Sequence, residues 1–539
     1  MIQNPILPGF NPDPSICRVG EDYFLAVSSF EWFPGVPVYH SKDLKHWQLR
    51  THILSSEAMI DLCRLPSAKG VWAPCLTYCA QEGLFYLMYS CMNSMNARFF
   101  DVDNFYVTAP SIDGPWSAPV YIHSAGFDPS MLHDDDGRKY IVSLEWETRD
   151  GYHKPGEICA VEYDPVAQKI IGYPQRIWGG GTKRGCIEGP HIYKRDGYYY
   201  LVCAEGGTGY GHSVTVGRAT SPFGPYENCP HNPVLTATAD FDDMNDDSCA
   251  KPERFNSDSY LQKAGHGSFV FTPAGECYMV YHASRPLLPH LRCTLGRETC
   301  IQKMEWPAGG WPAKFGGGNR AEEYTVEATL PAVPWQQQPS KLTFDGGALP
   351  MGLYAPRIDP ARFASTTARK GWLQLRGQES LSSLNCVSLM AHKLTALETT
   401  VTTKVSFAPQ VYQEYAGLTI YYDNMDYILL CKTFDAALNS EVVRLLRVEN
   451  GTYSQPSEAI AIPTGAEVTM RLVTANKEIQ FAFALEDGAW QEIGGKFDLS
   501  TLSDEYCKAG EFTGTFVGVA CVDAMLHQKC ADFAFLAIE

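Results

Sequence analysis

Apolar and polar residues in this chain alternate or gather in blocks of strand length, and no long stretch keeps the 3.6-residue period of an amphipathic helix. In the first three hundred or so residues the blocks come in pairs. Five segments share one texture: an acidic or small residue, an apolar strand, a polar turn and an aromatic-rich strand. They read DPSICRVGEDYFLAVSS from Asp13, WAPCLTYCAQEGLFYLMYS from Trp72, DPSMLHDDDGRKYIVSL from Asp128, EGPHIYKRDGYYYLVCAEG from Glu188 and HGSFVFTPAGECYMVYHAS from His266. Counting from Asp13 to Ala73, Asp128, Glu188 and His266 gives steps of 60, 55, 60 and 78 residues. Each segment predicts a hairpin, with Asp136-Gly137 and Asp196-Gly197 as tight-turn dipeptides. Further strand-like sequence between copies implies one sheet per repeat, and five such sheets packed radially make a five-bladed β-propeller.

The repeat ends near residue 305, and WPAGGWPAKFGGGNR (306–320) reads as connecting loop. From about 335 the texture changes. TTVTTKVSF, AGLTIYYD, YILLCKTF, EVTMRLVT and EIQFAFAL alternate apolar and polar residues between short turns, the pattern of an antiparallel β-sandwich. The expected architecture is all-β, with a propeller over 1–325 and a sandwich over 335–539.

Composition narrows the function classes. The 539 residues carry 43 Lys and Arg against 61 Asp and Glu, a net charge of −18. Such a surface repels phosphate backbones and anionic lipid, which argues against nucleic-acid and membrane partners. No segment reaches the roughly 18 consecutive apolar residues of a membrane span. The opening MIQNPILPGF has neither a basic n-region nor an unbroken apolar run, so no export signal is read there. Eighteen cysteines without such a signal suggest reduced thiols and a cytoplasmic setting. Cys75 and Cys79 share a strand face and read as packing rather than as a metal or redox pair. Neither GGG run belongs to a phosphate-binding loop, since G-x-x-x-x-G-K-[ST] is missing.

In a propeller the innermost strands line one funnel, so equivalent repeat positions meet there. That brings together Asp13, Asp128 and Glu188. Carboxylates that converge and lose water raise at least one pKa, which suits proton transfer. Taken singly, Asp13 in Asn-Pro-Asp-Pro and Asp128 in Phe-Asp-Pro-Ser also fit turn-organising roles, and Glu188 in Ile-Glu-Gly-Pro fits a strand cap.

These residues resemble glycoside hydrolase family 43, and within it the two-domain β-xylosidases. The likeness rests on the run from Asn4 to Trp47, on WAP at 72–74, and on GFDPS, IEGP and LGRET in family order. GQESLSSL, AGLTIYYD and FTGTFVG carry it through the second half. The resemblance implies an inverting, exo-acting hydrolase that releases D-xylose from the non-reducing ends of short β-1,4-xylo-oligosaccharides. By resemblance Asp13 is the general base, Glu188 the general acid, and Asp128 the residue that orients the acid and holds its pKa up. Base and acid of an inverting pair stand about 6.5–9.5 Å apart, leaving space for a water. Acid–base hydrolysis of this kind requires no cofactor.

The resemblance also implies substrate contacts. Trp72, Trp32 and Phe33 are candidates to stack on a pentose, Arg297 in LGRET to bind the terminal sugar, and Thr208 to line a subsite. His266 fills the fifth repeat position, to bond a sugar hydroxyl or to help hold a divalent cation such as calcium on the axis. Phe512, with Phe516 second, is expected to close the pocket from the sandwich. Relatives that form dimers or tetramers suggest a homo-oligomer. α-L-Arabinofuranosidase activity, alone or beside xylosidase activity, is the nearest alternative, and a non-catalytic carbohydrate-binding propeller is the alternative outside enzymes. A retaining invertase-type hydrolase fits less well, because Phe precedes Asp128 and Gly follows Glu188 in place of Arg-Asp-Pro and Glu-Cys.

Overall fold

A computed structural model describes residues 1–152, 156–243, 250–335, 339–486, 488–508 and 512–539. Five antiparallel sheets follow one another along the chain. Blade 1 is Ser15–Val19, Asp22–Ala26, Gly35–Ser41 and Gln48–Leu54; blade 2 is Gly70–Cys79, Leu84–Asn96, Phe99–Ala109 and Val120–Tyr121. Blade 3 comprises Ser130–His133, Lys139–Leu144, Ile158–Asp164 and Lys169–Trp178. Blade 4 comprises Glu188–Arg195, Tyr198–Glu205, Ser213–Ala219 and Glu227–Asn228, with Leu235–Thr236 also on its third strand. Blade 5 comprises Gln262–Phe271, Cys277–Ser284, Glu298–Glu305 and Ala313–Lys314. The first strand of each blade packs against that of the next, and blade 5 returns to blade 1, so the ring closes around one axis.

Turn chemistry sets the hairpins. Arg195 pairs with Tyr198 across Asp196 and Gly197, whose φ values of 50° and 82° are those of a two-residue turn that twists with its strands. Asp136-Gly137 instead lies inside a longer loop between His133 and Lys139, where the Asp134 amide donates to the Arg138 carbonyl.

The Gly- and Pro-rich stretch after 305 is more than a connector. Ala313–Lys314 supplies the outer strand of blade 5, and Trp306 and Trp311 pack edge-on to Tyr200. Tyr324–Thr325 then pairs with Ile2–Gln3 and ties the two ends of the propeller together.

The second half is two facing sheets. One runs Ala364–Ser365, Leu373–Arg376, Cys530–Ile538, Thr399–Ser406, Val468–Ala475, Glu478–Leu485 and Gln491–Asp498. The other runs Leu389–Lys393, Phe516–Asp523, Glu414–Asp423, Asp426–Asp435, Ser440–Glu449 and Thr452–Ser454. Thr399–Ser406 and Val468–Ala475 alternate buried and half-buried residues, so one face of that sheet builds the core with Val401, Val405, Met470 and Leu472. Among the described residues the only helical turns are three short 3-10 segments.

The two halves share a hydrophobic seam. Trp32–Phe33 from the propeller pairs with Ala355–Pro356, and the Trp32 ring stacks on Phe516 at 3.7 Å. Phe10, Tyr354, Tyr421 and Leu429 extend the same cluster. The seam brings the segment that begins at Phe512 over the propeller axis.

Candidate active site

Backbone conformation, more than side-chain identity, defines the floor of the funnel. One residue in or just before each innermost strand is left-handed, with φ of 54° at Asp13, 38° at Ala73, 55° at Asp128, 59° at Gly189 and 54° at His266. The equivalent position in blade 4 is therefore Gly189. The sequence reading put Glu188 in phase with Asp13 and Asp128; the backbone sets it one residue earlier, level with Trp72 and Phe127. Pairing registers slip at this point in three blades, between Trp72 and Cys75, Glu188 and His191, and Gly265 and Ser268. Such bulges re-aim side chains at the rim of a sheet.

Asp13 is gripped on every side. Arg297 donates to its Oδ1 at 2.6 Å and Ser28 to its Oδ2 at 2.6 Å, while the Asp13 amide donates to His282 Nδ1 at 3.1 Å. His266 Nδ1 lies 3.9 Å from Oδ1. Burial alone raises a carboxyl's pKa, but the Arg297 guanidinium at 2.6 Å outweighs it and holds Asp13 well below the usual carboxylate range.

Asp128 is oriented by two hydrogen bonds. Its amide donates to Ser90 Oγ at 3.1 Å, and its Oδ2 accepts from the Gly189 amide at 2.9 Å. Burial, then the charges of Glu188 and Asp13, push its carboxyl far up. Glu188 is the more open of the pair and accepts from Thr208 Oγ1 at 3.4 Å. Burial first, and the negative charge of Asp13 second, push Glu188 up to about 7. The lift assigned to Asp128 in the sequence thus comes largely from desolvation and Asp13. The three carboxylates lie close enough to act on one another's charge, and their environments drive Asp13 and Glu188 in opposite directions.

The other candidates divide. Trp72 stands edge-on to Phe127 at 5.8 Å and to Phe512 at 6.1 Å, and its indole N–H is tied to the Ala68 carbonyl. Phe512 adopts φ of 78°, a costly conformation for a bulky residue, and its carbonyl accepts from Arg297 Nη2 at 3.3 Å. Phe516 is instead fully buried on Trp32. Phe33 is also out of reach of a sugar: the residue is 2% exposed and belongs to the apolar cluster that joins Val36, Val38 and Leu54 of blade 1 to Leu76 and Leu87 of blade 2. Trp32 at 1% exposure is equally closed. Thr208 touches Glu188, and Arg297 touches Asp13.

His266 has His191 and His282 as ring neighbours, and both oxygens of nearby Asp13 are committed to Arg297 and Ser28. A hard cation such as calcium takes oxygen ligands, so this donor set does not fit one. Among the described residues no group of three or more His, Cys, Asp or Glu side chains is arranged around a metal position.

Sequence reasoning missed Ser28, Ser90, His282 and His212. The first three follow the apolar run of the second strand of a repeat, in LAVSS, LMYS and YMVYHAS, so the polar residue after each such run carried a signal that went unread.

Comparison with known proteins settles the relationship. The model described as "Glycosyl hydrolases family 43" matches residues 2–312. The chain belongs to that family. Residues 341–539 match a second model, "Beta xylosidase C-terminal Concanavalin A-like domain". Full-length relatives of this family 43 chain include the xylosidase/arabinosidase 43B of Humicola insolens, 38% identical over 99% of this chain and 96% of that protein. The β-xylosidase of Bacillus subtilis (strain 168) is 37% identical over 99% and 98%. The crystal structure of a xylan β-1,4-xylosidase from Bacillus halodurans C-125 superposes with a TM-score of 0.94 at 40% identity, covering both chains completely.

Proposed function

We propose that this family 43 glycoside hydrolase removes D-xylose, with inversion, from the non-reducing ends of short β-1,4-xylo-oligosaccharides. The observation that carries the reading is the split between two interacting carboxyls: Asp13 held ionised, Glu188 held protonated up to about pH 7. Glu188 gives its proton to the glycosidic oxygen as the C–O bond breaks. Asp13 takes a proton from a water attacking the anomeric carbon on the opposite face of the ring. Asp128 orients this pair from beside Gly189. Arg297 keeps Asp13 anionic before the water arrives, and Thr208 steadies Glu188.

Exo action is favoured by Phe512, which the sandwich half sets against Trp72 and Arg297 beside the carboxylates. Exo action suits small oligosaccharides and so a cytoplasmic enzyme. The Humicola insolens relative named as both xylosidase and arabinosidase supports a second activity on α-L-arabinofuranosides.

Proton NMR of xylobiose hydrolysis tests the reading. The expected first product is α-D-xylose, which then mutarotates. β-D-Xylose as first product would overturn inversion, and no release from xylobiose would overturn the substrate assignment. Turnover of 4-nitrophenyl β-D-xylopyranoside against the α-L-arabinofuranoside ranks the two sugars.

A further inference from the structure

Two buried histidines connect the carboxylates at the floor of the funnel. His282 and His212 are both fully buried, and their rings lie 4.8 Å apart. The Asp13 amide points at His282 Nδ1 over 3.1 Å. An amide N–H has only a hydrogen to offer, so Nδ1 is the acceptor and the ring proton of neutral His282 sits on Nε2. The 3.1 Å approach of Nδ1 to Asp13 Oδ1 is then a close neighbour rather than a hydrogen bond.

His282 Nε2 lies 3.1 Å from His212 Nδ1. Since Nε2 carries hydrogen, His212 Nδ1 accepts, and the proton of His212 is placed on its own Nε2. The Lys263 carbonyl, 3.4 Å from His212 Nδ1, competes at longer range and would leave the His282 N–H without an acceptor. His212 Nε2 has no hydrogen-bond partner and lies 3.8 Å from Glu188 Oε1. A Cβ on Gly265 would stand 2.4 Å from His212 Cγ, so the ring is seated against bare backbone. Besides each other and Glu188, the charged or titratable groups bearing on these rings are Asp13, Arg297 and His266, and both rings stay neutral.

We infer that His212 is a positioning residue whose Nε2–H is held ready for the carboxylate that Glu188 becomes once its proton has left. The inference rests on the acid role proposed above for Glu188. While Glu188 is protonated the N–H stands 3.8 Å away and does little. As the proton passes from Glu188 to the glycosidic oxygen, whose bonding pair to the anomeric carbon departs with it, negative charge appears on Glu188. The contact then shortens to a charge-assisted hydrogen bond. His212 keeps its own proton throughout. A donor engaged only after proton transfer lowers the barrier more than it helps the ground state. Oε1, facing Thr208 and His212, is the held oxygen, and Oε2 is the one that delivers the proton.

His212→Leu and His212→Gln test this on xylobiose and on 2,4-dinitrophenyl β-D-xylopyranoside, whose leaving group needs little protonation. Removing a donor to the ionised form raises the pKa of Glu188. His212→Leu should therefore move the alkaline limb of kcat/KM upward, and lose about tenfold more activity on xylobiose than on the aryl xyloside. Gln, whose amide NH2 reaches the same place, should restore part of both. Equal losses on the two substrates, or an unmoved limb, would overturn the inference. If wild-type protein leaves xylobiose intact, the functional reading itself has failed. Neutron diffraction of the wild type gives a test that needs no variant: deuterium is expected on Nε2 of both rings, and deuterium on His212 Nδ1 sinks the scheme.

Discussion

Gly189 donates its backbone N–H to Asp128 Oδ2 over 2.9 Å, so the residue that follows Glu188 also aims the neighbouring carboxylate. It does this at φ of 59°, and a Cβ there would lie 2.9 Å from His266 Cε1. Gly189→Ala should cost about 1–2 kcal/mol in urea unfolding for the left-handed backbone alone. It should also lower kcat, because Asp128 and His266 are displaced together. Wild-type stability and kcat would remove Gly189 from the account.

Arg297 opposes the burial of Asp13, so Arg297→Met should raise the Asp13 pKa. Asp13 must be ionised to act as base, and activity is lost as pH falls through its pKa. The acidic limb of kcat/KM should move up by about one to three pH units, the usual effect of losing an opposite charge at contact. A limb that stays in place on an aryl xyloside contradicts this pairing.

The alkaline limb of the wild type should fall near pH 7, where Glu188 loses its proton. Glu188→Ala should abolish that limb and reduce xylobiose turnover about 10²–10⁴-fold. Aryl xylosides with good leaving groups should lose far less. Comparable losses on both classes would deny Glu188 the role of acid.

Lys393 is buried in the seam between the halves, donating to Asn11 Oδ1 at 2.8 Å, and burial pushes its pKa down to about 7. Its unfolded value lies near 10.4. Between about pH 7 and 10.4 the unfolded chain binds more protons, so this group makes stability rise with pH across that window. Lys393→Met should flatten the rise and stabilise the fold at pH 6 by about 1–3 kcal/mol, since Asn11 Oδ1 still accepts from Tyr39. Urea titrations at pH 6 and 9 check both parts.

Much of the architecture was legible because the repeat couples a hairpin pattern to a conserved spacing within one chain. Asp13 and Asp128 could be placed from phase alone. Glu188 could not: it stands one residue before Gly189, the left-handed position equivalent to Asp13 and Asp128, and a one-residue offset of that kind leaves no mark in apolar periodicity. Phe33 misled because an aromatic beside the first hairpin looks the same whether it faces a ligand or a core. The outer strand of blade 5 was hidden by its Gly-rich flanks, since two residues pairing at a sheet edge need no strand-forming composition. His212 and His282 became meaningful only when strand ends 70 residues apart met at one nitrogen contact.

The two-residue ladder between Trp32–Phe33 and Ala355–Pro356 has a practical corollary for engineering. A cut anywhere between the two matched regions would strip main-chain partners from the propeller and leave the Trp32 indole bare to solvent. The place where composition changes is not the place where this molecule comes apart, and a module swap would have to carry the facing surface of the sandwich along with it.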